Sequence, residues 1–259
     1  MPARLYDPAP DRGPRGLLVY LHGGGWVVGS IDTHDPVCRF LAHAADVGVL
    51  AIEYRRAPEH RFPAAVDDAF AAFRWAAGNA GALGCDPARV GVAGDSAGGN
   101  LAAVVAQLAA RDGGARPALQ LLSYPVTDVS RKHPSYRLFA DGYFLTEREM
   151  DWYRGHYLPD EGAARDPRAS PLLASDLHGL PPAVVLTAGF DVLRDEGEAY
   201  ARRLAEAGVP VRLRRHAGLI HGFCNATGMS RSARAAMEEA TGWVRDALAT
   251  PLPRHAVAG

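Results

Sequence analysis

The sequence is poor in cysteine, and the spacing of its few cysteines does not suggest disulfide bonds or a shared metal site. Only three occur in 259 residues, at Cys38, Cys85 and Cys224, and no two of them form a CxxC pair. An odd number of widely separated cysteines favours neither a disulfide framework nor a zinc site. We therefore expect free thiols that are buried or half-buried, and no metal site.

Net charge and long apolar runs are also lacking. The 28 basic and 29 acidic side chains leave a formal net charge of −1, which gives no electrostatic footprint for nucleic acid or an anionic membrane. No run approaches the roughly 18 apolar residues of a transmembrane helix, and the N-terminal stretch "MPARLYDPAPDRGPRG" has no apolar core of a signal peptide. We expect a soluble, cytoplasmic protein without nucleic-acid or membrane partners.

What the chain does contain is 48% apolar residues, enough for one domain with a sizeable core over residues 1–259. The predicted strands are Leu17–His22, Val47–Tyr54, Val90–Ala93, Leu119–Tyr124, Val184–Ala188 and Val211–Arg215. The predicted helices are Pro36–Ala45, Ala64–Ala77, Asn100–Arg111, Glu147–Tyr157, Glu196–Ala207 and Ser232–Leu248. This alternation predicts an α/β fold with a mostly parallel, twisted sheet and helices on both faces. Ligands then bind beyond the carboxyl ends of the strands.

Residues 129–170 interrupt the alternation, because they hold no convincing strand and are too long for an ordinary connection. We interpret this segment as a helical, cap-like insertion over the rim of the site. Its aromatic side chains either line a substrate pocket or pack the insertion's own core, and we select Phe139, Tyr143 and Phe144 as candidates for substrate contact.

The strongest chemical signal is "GDSAG", from Gly94 to Gly98. It follows a predicted strand and precedes a predicted helix, which is the context of the G-x-S-x-G nucleophile elbow. Side chains at Gly94 and Gly98 are expected to collide as the turn folds back, and Ser96 is expected to be exposed above the sheet. The alternative is a Gly/Ser loop without catalytic meaning, which the strand and helix context disfavours.

A serine nucleophile needs a base, and the base needs an orienting acid. Asp191 follows the strand at Val184 and is our candidate for the acid, because acidic side chains at the start of the next helix, such as Glu196, fit a structural role. Beyond the strand at Val211 we prefer His221, in a glycine-rich loop, to His216 at the strand's own end.

The remaining histidines stand alone, without partners at a useful spacing. They are His34, His43, His60, His133, His156, His178 and His255. We expect them to have surface or satisfied core roles. The predicted catalytic order of Ser96, Asp191 and His221 is that of α/β-hydrolases.

These motifs identify the chain as similar to the hormone-sensitive-lipase-like family of α/β-hydrolases, in the subgroup carrying GDSAG. The matching blocks are "HGGGW" (22–26), "YRRAPEHRFPAAVDD" (54–68), "GDSAGGNLA" (94–102), "SYPVTD" (123–128), "DVLRDEG" (191–197) and "HGF" (221–223). The resemblance extends over nearly the whole chain. It implies a carboxylesterase in which Ser96 is the nucleophile, Asp191 the acid and His221 the base.

The resemblance also explains the three consecutive glycines near the start of the chain. It implies an oxyanion hole of backbone N–H groups from Gly24, Gly25 and Ala97, which stabilises charge that develops in the transition state. His22 is expected to brace this loop by hydrogen bonding. Trp26 and Asp95 are further candidates for substrate contact, although the role of Asp95 stays open.

The predicted reaction is two-step acyl transfer on a small-molecule ester of short to medium chain length, and it needs no cofactor. An amidase, a lactonase or an acyltransferase can use the same machinery, since specificity depends on the pocket. A small-molecule-binding relative without activity is disfavoured, because all three triad positions are filled.

The chain differs from typical family members in having only residues 1–21 before its glycine motif. We expect either a reduced N-terminal cap or a shortened form of the protein. The consequence would be a wider, more exposed site and a partly uncovered sheet edge, which a homodimer would protect. Cys224, close to His221, is expected to have a packing role or to make the protein sensitive to thiol reagents.

Overall fold

A single sheet of seven strands organises the computed structural model, which describes residues 1–9 and 13–249. Along the sheet the order is β1-β3-β2-β4-β5-β6-β7. The strands are β1 (Ala3–Tyr6), β2 (Arg15–Leu21), β3 (Gly48–Ile52), β4 (Cys85–Asp95), β5 (Gln120–Ser123), β6 (Ala183–Phe190) and β7 (Val211–Ile220). β1 pairs antiparallel with β3, and the remaining five pairings are parallel. The prediction of a mostly parallel sheet is confirmed.

Helices cover both faces of this sheet, as the near-continuous apolar strands require. They are α1 (Asp35–Ala45), α2 (Ala64–Asn79), α3 (Ala97–Arg111), α4 (Pro134–Leu138), α5 (Glu147–Tyr157), α6 (Arg194–Glu206) and α7 (Arg231–Ala249). Alternate residues of β2 point to opposite faces. Leu17, Val19 and Leu21 belong to the buried cluster on the face covered by α2, α3 and α6, whereas Leu18 and Tyr20 belong to the cluster on the face covered by α1 and α7. No helix in the described ranges is long and apolar enough to cross a membrane.

Three strands extend beyond their predicted ends. β4 continues to Asp95 and β6 continues to Phe190. β7 continues from Arg215 to Ile220, where it still pairs with Phe190. The β7 extension contains His216, Ala217 and Gly218, which lack an apolar β pattern. This part of β7 lies at the edge of the sheet, where its side chains are mostly exposed. Backbone hydrogen bonds to β6 therefore hold it in the strand, and burial of apolar side chains contributes little.

The segment 129–170 lies between β5 and β6 and contains α4, α5 and a short 3₁₀ helix at Gly162–Arg165. At the start of α5, Thr146 and Glu149 form a capping box, in which the Glu149 N–H donates to Thr146 Oγ1 at 3.2 Å. The last residue of α5, Tyr157, stacks on Trp26 with 4.2 Å between ring centroids. This contact fixes the segment against the loop that follows β2.

The three cysteines are free and buried, in agreement with the expectation from their spacing.

Candidate active site

Ser96 occupies a strained turn between β4 and α3. Its φ of +55° and ψ of −119° are disfavoured for any residue with a side chain. A Cβ at Gly98 would lie 1.9 Å from the Leu21 carbonyl oxygen, and a Cβ at Gly94 would lie 2.3 Å from the Gly98 oxygen. Both positions therefore require glycine, for the reason that the sequence motif indicated.

The carboxyl ends of β6 and β7 bring two further side chains to Ser96. Asp191 directly follows β6, and His221 directly follows β7. His221 Nε2 lies 3.0 Å from Ser96 Oγ, and His221 Nδ1 lies 2.8 Å from Asp191 Oδ2. Because the buried carboxylate accepts a hydrogen bond from the Nδ1–H group, the Nε2 lone pair faces the serine hydroxyl. The Leu193 N–H donates to the other Asp191 oxygen at 2.9 Å and orients the acid.

Tyr124 supports His221 from below, a role that the sequence analysis did not identify. Its ring centroid lies 4.5 Å from that of His221 and 5.0 Å from that of Phe223. The backbone of Tyr124 has a φ of +36°, and its hydroxyl is hydrogen-bonded to Cys224 Sγ. Burial raises the pKa of the Cys224 thiol well above its usual range, so the thiol stays protonated and packs beneath the histidine loop.

Residues 22–34 connect β2 to α1 and carry the consecutive glycines; we call this segment the oxyanion loop. Gly24 has a φ of +119°, and a Cβ there would lie 2.1 Å from the Val28 oxygen. A Cβ at Gly25 would lie 2.2 Å from the ring of Tyr153, on α5. Side chains at either glycine would thus displace the loop or α5. Ala97 is the first residue of α3, so its N–H has no acceptor within the helix.

Asp95 holds the oxyanion loop from beneath. Its Oδ1 accepts hydrogen bonds from the Tyr20 hydroxyl at 2.7 Å and from the Gly23 N–H at 2.9 Å, and His34 Nε2 lies 3.3 Å from the carboxylate. Asp95 is 3% exposed. The predicted substrate contact by Asp95 is therefore not supported, because its carboxylate is used below the loop. His34 agrees with the expected satisfied core role, and the fold supplies its partner Asp95, which the spacing along the sequence did not indicate.

His22 braces the same loop, as the sequence analysis expected. Its ring stacks on that of Tyr54 at a centroid distance of 4.3 Å, and its Nδ1 lies 2.8 Å from the Gly23 oxygen. The Tyr54 hydroxyl donates to the His22 carbonyl at 2.7 Å. Burial lowers the pKa of His22 to about 4, so the ring is neutral at pH 7.

Of the other residues selected for substrate contact, Trp26 is buried, whereas Phe139 and Tyr143 lie in an aromatic cluster near Asp191. Trp26 is fully buried against Tyr157, which leaves it no surface for a substrate and corrects the prediction. Phe139 and Tyr143 both contact Phe190, whose centroid lies 5.7 Å from the first and 5.2 Å from the second. Phe190 immediately precedes Asp191 and was not identified from the sequence.

Phe144 lies beside the loop that carries His221. Its side chain is 72% exposed, and its ring lies against Gly222, beside His221. Phe144, Ile220, His221 and Met229 are among the residues that line an open, mainly apolar cavity of about 500 Å³. Across residues 1–9 and 13–249, no three His, Cys, Asp or Glu side chains are grouped to hold a metal ion.

The fold and the arrangement of Ser96, Asp191 and His221 are those of an α/β-hydrolase. A sequence model described as the alpha/beta hydrolase fold matches residues 18–225. The chain belongs to this family, which confirms the family predicted from the motifs.

Several similar proteins are esterases by name. The chain is 53% identical over 231 residues to the carboxylic ester hydrolase LipN of Mycobacterium tuberculosis, an alignment that covers 87% of this chain and 61% of LipN. It is 47% identical to the ethyl acetate hydrolase of Pseudomonas putida, with coverage of 86% and 71%. The crystal structure of a thermostable esterase from Pseudomonas putida superimposes with a TM-score of 0.92 at 42% identity, over 95% of this chain and 78% of that one. The chain thus spans about three fifths of the length of LipN.

Proposed function

We propose that this protein is a serine carboxylesterase that hydrolyses carboxylic esters of short to medium chain length. The observation that carries the proposal is His221, which bridges Ser96 Oγ and Asp191 with hydrogen-bond distances of 3.0 Å and 2.8 Å. Sequence similarity to a carboxylic ester hydrolase and an ethyl acetate hydrolase supports the same reaction class.

In the proposed mechanism His221 Nε2 takes the proton of Ser96 as its oxygen attacks the ester carbonyl. Asp191 holds the ring in the required tautomer and stabilises the imidazolium. His221 then protonates the leaving alcohol, and an acyl-enzyme remains on Ser96. In the second step His221 removes a proton from water as the water oxygen attacks the acyl group. His221 then returns the proton to Ser96 Oγ as the bond to the acyl group breaks, which releases the acid and restores the free serine.

The negative charge on the substrate oxygen is proposed to bind the N–H groups of Gly24, Gly25 and Ala97. Two of these groups lie in the oxyanion loop after β2, and the third begins α3 after β4, so the ends of two neighbouring strands supply the donors. Donors fixed before the reaction stabilise the transition state without reorganisation, and the loss of one typically costs about 10²- to 10³-fold in rate.

Substrate contacts are proposed for the cap-like segment 129–170. Phe144 supports this role because its exposed ring borders the apolar cavity beside His221. Phe139 and Tyr143 form a cluster with Phe190 next to the triad acid, and we propose that they limit the site on that side.

Hydrolysis of p-nitrophenyl esters of increasing acyl length by the wild type and Ser96→Ala tests the proposal. We expect the wild type to prefer short to medium acyl chains and Ser96→Ala to fold normally without turnover. Amides, lactones and alcohol acceptors, measured in parallel, distinguish an amidase, a lactonase or an acyltransferase. Near-wild-type turnover by Ser96→Ala would refute the mechanism, and a preference for acyl chains beyond about twelve carbons would refute the chain-length assignment.

A homodimer and a cytoplasmic location stay predictions from the sequence. Sedimentation of the purified protein tests the first, and fractionation of the source cells tests the second.

A further inference from the structure

His34 is a buried histidine outside the triad, and both of its ring nitrogens have partners. It precedes α1 and is 7% exposed. Nε2 lies 3.3 Å from the Asp95 carboxylate and 3.3 Å from the backbone nitrogen of Gly23. Nδ1 lies 2.9 Å from Thr33 Oγ1, and the ring is also hydrogen-bonded to the backbone of Ser30. Neither nitrogen therefore depends on solvent.

These partners determine where the protons of His34 are. The Thr33 hydroxyl donates its one proton to the Ser30 carbonyl at 2.9 Å, so it accepts from His34 Nδ1. The Gly23 N–H faces Nε2 at 3.3 Å but has the Asp95 oxygen as its nearer acceptor at 2.9 Å, so it does not require a lone pair on Nε2. An N–H on Nε2 forms a charge-assisted hydrogen bond with the Asp95 carboxylate. Protons on both nitrogens, which make the ring an imidazolium, therefore fit the Thr33 and Asp95 contacts.

The electrostatic surroundings agree with a charged ring. The titratable groups around His34 on β2, β4, α1 and the oxyanion loop are Tyr20, His22, Asp35, Cys38 and Asp95. His22 is neutral at pH 7, burial keeps Tyr20 and Cys38 protonated, and Asp35 is paired with Arg39. Burial has the largest single effect and lowers the pKa of His34, but the charge of Asp95, the hydrogen bond to Asp95 and the hydrogen bond to the Ser30 backbone together raise the pKa above 6.5.

We propose that the His34 imidazolium is a positioning residue for the oxyanion loop and acts through Asp95. Its charge fixes the carboxylate that accepts the Gly23 N–H at 2.9 Å, and Gly23 immediately precedes the two glycines assigned to the oxyanion hole. This proposal rests on the proposed function, because it assigns His34 to the same transition-state stabilisation.

Loss of the charge on His34 is expected to lower activity at alkaline pH. When the pH rises through the pKa of His34, the ring becomes neutral and its attraction for Asp95 weakens. The Gly23 contact then loosens, and kcat falls on the alkaline side. The fall on the acid side has a different origin, because it comes from protonation of the base His221.

The test compares His34→Gln with the matched control His43→Gln, which changes an exposed histidine on α1. Glutamine still donates to Asp95 but has no charge and does not titrate. We expect His34→Gln to lower kcat about 10- to 10²-fold at pH 7, with KM changed less than about twofold and the alkaline decrease of the wild type abolished. His43→Gln should retain the wild-type profile. Rates are corrected with Ser96→Ala for spontaneous ester hydrolysis.

A double-mutant cycle with Asp95→Asn tests whether His34 acts through Asp95. We expect His34→Gln to have little further effect on kcat in the Asp95→Asn background. Additive losses, an unchanged alkaline decrease in His34→Gln, or equal changes in kcat and KM would each overturn the proposal.

Nitrogen NMR of wild-type protein labelled at histidine does not depend on activity or on any variant folding. We expect both nitrogens of His34 to be protonated at pH 7, and a neutral tautomer would overturn the proposal even if His34→Gln does not fold. A wild type without Ser96-dependent ester hydrolysis would refute the proposed function and with it the positioning role. The NMR result would then still establish whether the charged His34–Asp95 pair exists.

Discussion

At the scale of single residues, the shape of the nucleophile turn depends on glycines whose neighbours are backbone atoms. The hypothetical Cβ of Gly98 meets the Leu21 carbonyl at 1.9 Å, and no side-chain rotation relieves that contact. β2 and α3 would have to separate, although both belong to the central core.

Gly98→Ala is therefore expected to lower the free energy of unfolding by at least about 3 kcal/mol, because the added methyl group overpacks a rigid site. The matched control is Gly78→Ala on α2, where nothing lies within 4 Å of the added Cβ. There we expect a gain of about 0.5–1 kcal/mol, since alanine favours the helix. Urea denaturation measures both variants, and equal effects would contradict the steric explanation.

The buried thiol of Cys224 is expected to be unreactive. The thiolate is the reactive form of cysteine, and burial beneath His221 raises the pKa of this thiol well above its ordinary value. We expect iodoacetamide at pH 8 to leave ester hydrolysis unchanged and Cys224 unmodified by mass spectrometry. Rapid inactivation with label on Cys224 would show that the histidine loop opens.

At the scale of elements, α5 connects the segment 129–170 to the oxyanion loop through two aromatic contacts. Tyr157 stacks on Trp26, and the Tyr153 ring occupies the space that a side chain at Gly25 would need. The hydroxyl of Tyr157 is buried, and no hydrogen-bond partner for it occurs in the part of the chain that the structure describes. An unpaired buried hydroxyl lowers the free energy of unfolding. The stacking on Trp26 depends on the ring of Tyr157 and not on its hydroxyl.

Tyr157→Phe should consequently raise the free energy of unfolding by about 1 kcal/mol, because it removes the unpaired group and keeps the stacked ring. Tyr200→Phe on α6 is the control, since the Tyr200 hydroxyl accepts from Gln107 Nε2 at 3.1 Å. That variant should lose about 1 kcal/mol. Calorimetry measures the free energy of unfolding of both variants. A loss for Tyr157→Phe as large as that for Tyr200→Phe would show that the Tyr157 hydroxyl has a hydrogen-bond partner.

At the scale of the whole molecule, buried histidines couple stability to pH in opposite directions. The pKa of His22 falls from 6.5 to about 4 on folding. The unfolded chain therefore binds a proton that the folded chain does not, and stability is lost as the pH falls through 6.5 towards 4. His34 has a raised pKa, so its contribution is complete below pH 6.5 and is lost as the pH rises through its folded value.

We expect His22 alone to account for a loss of about 2 kcal/mol in the free energy of unfolding between pH 7 and pH 4.5. His22→Asn should reduce the pH dependence over this range by the same amount, whatever its effect at pH 7. His60→Asn changes an exposed histidine and should leave the slope unchanged. Urea titrations at the two pH values measure the difference, and parallel curves for wild type and His22→Asn would reject the assignment.

Sequence patterns predicted the central elements well because those elements are locally encoded. The alternation of apolar runs with amphipathic stretches gave the parallel strands of the sheet and the major helices, with boundaries shifted by a few residues. The end of β7 was not predicted, since an edge strand whose side chains are exposed has no apolar period to detect. The short helix α4 was missed for a related reason, because five residues are too few to show a helical period.

By itself, the sequence determined the family, the sheet architecture and the residues proposed for the triad, because glycine spacing, strand ends and chain order are properties of short stretches. Tertiary structure alone decided which polar groups meet beneath those stretches. Asp95 and His34 are 61 residues apart, and Trp26 is covered by Tyr157 from the segment 129–170. Such contacts depend on how loops from different strands pack at one edge of the sheet, and no local pattern encodes that packing.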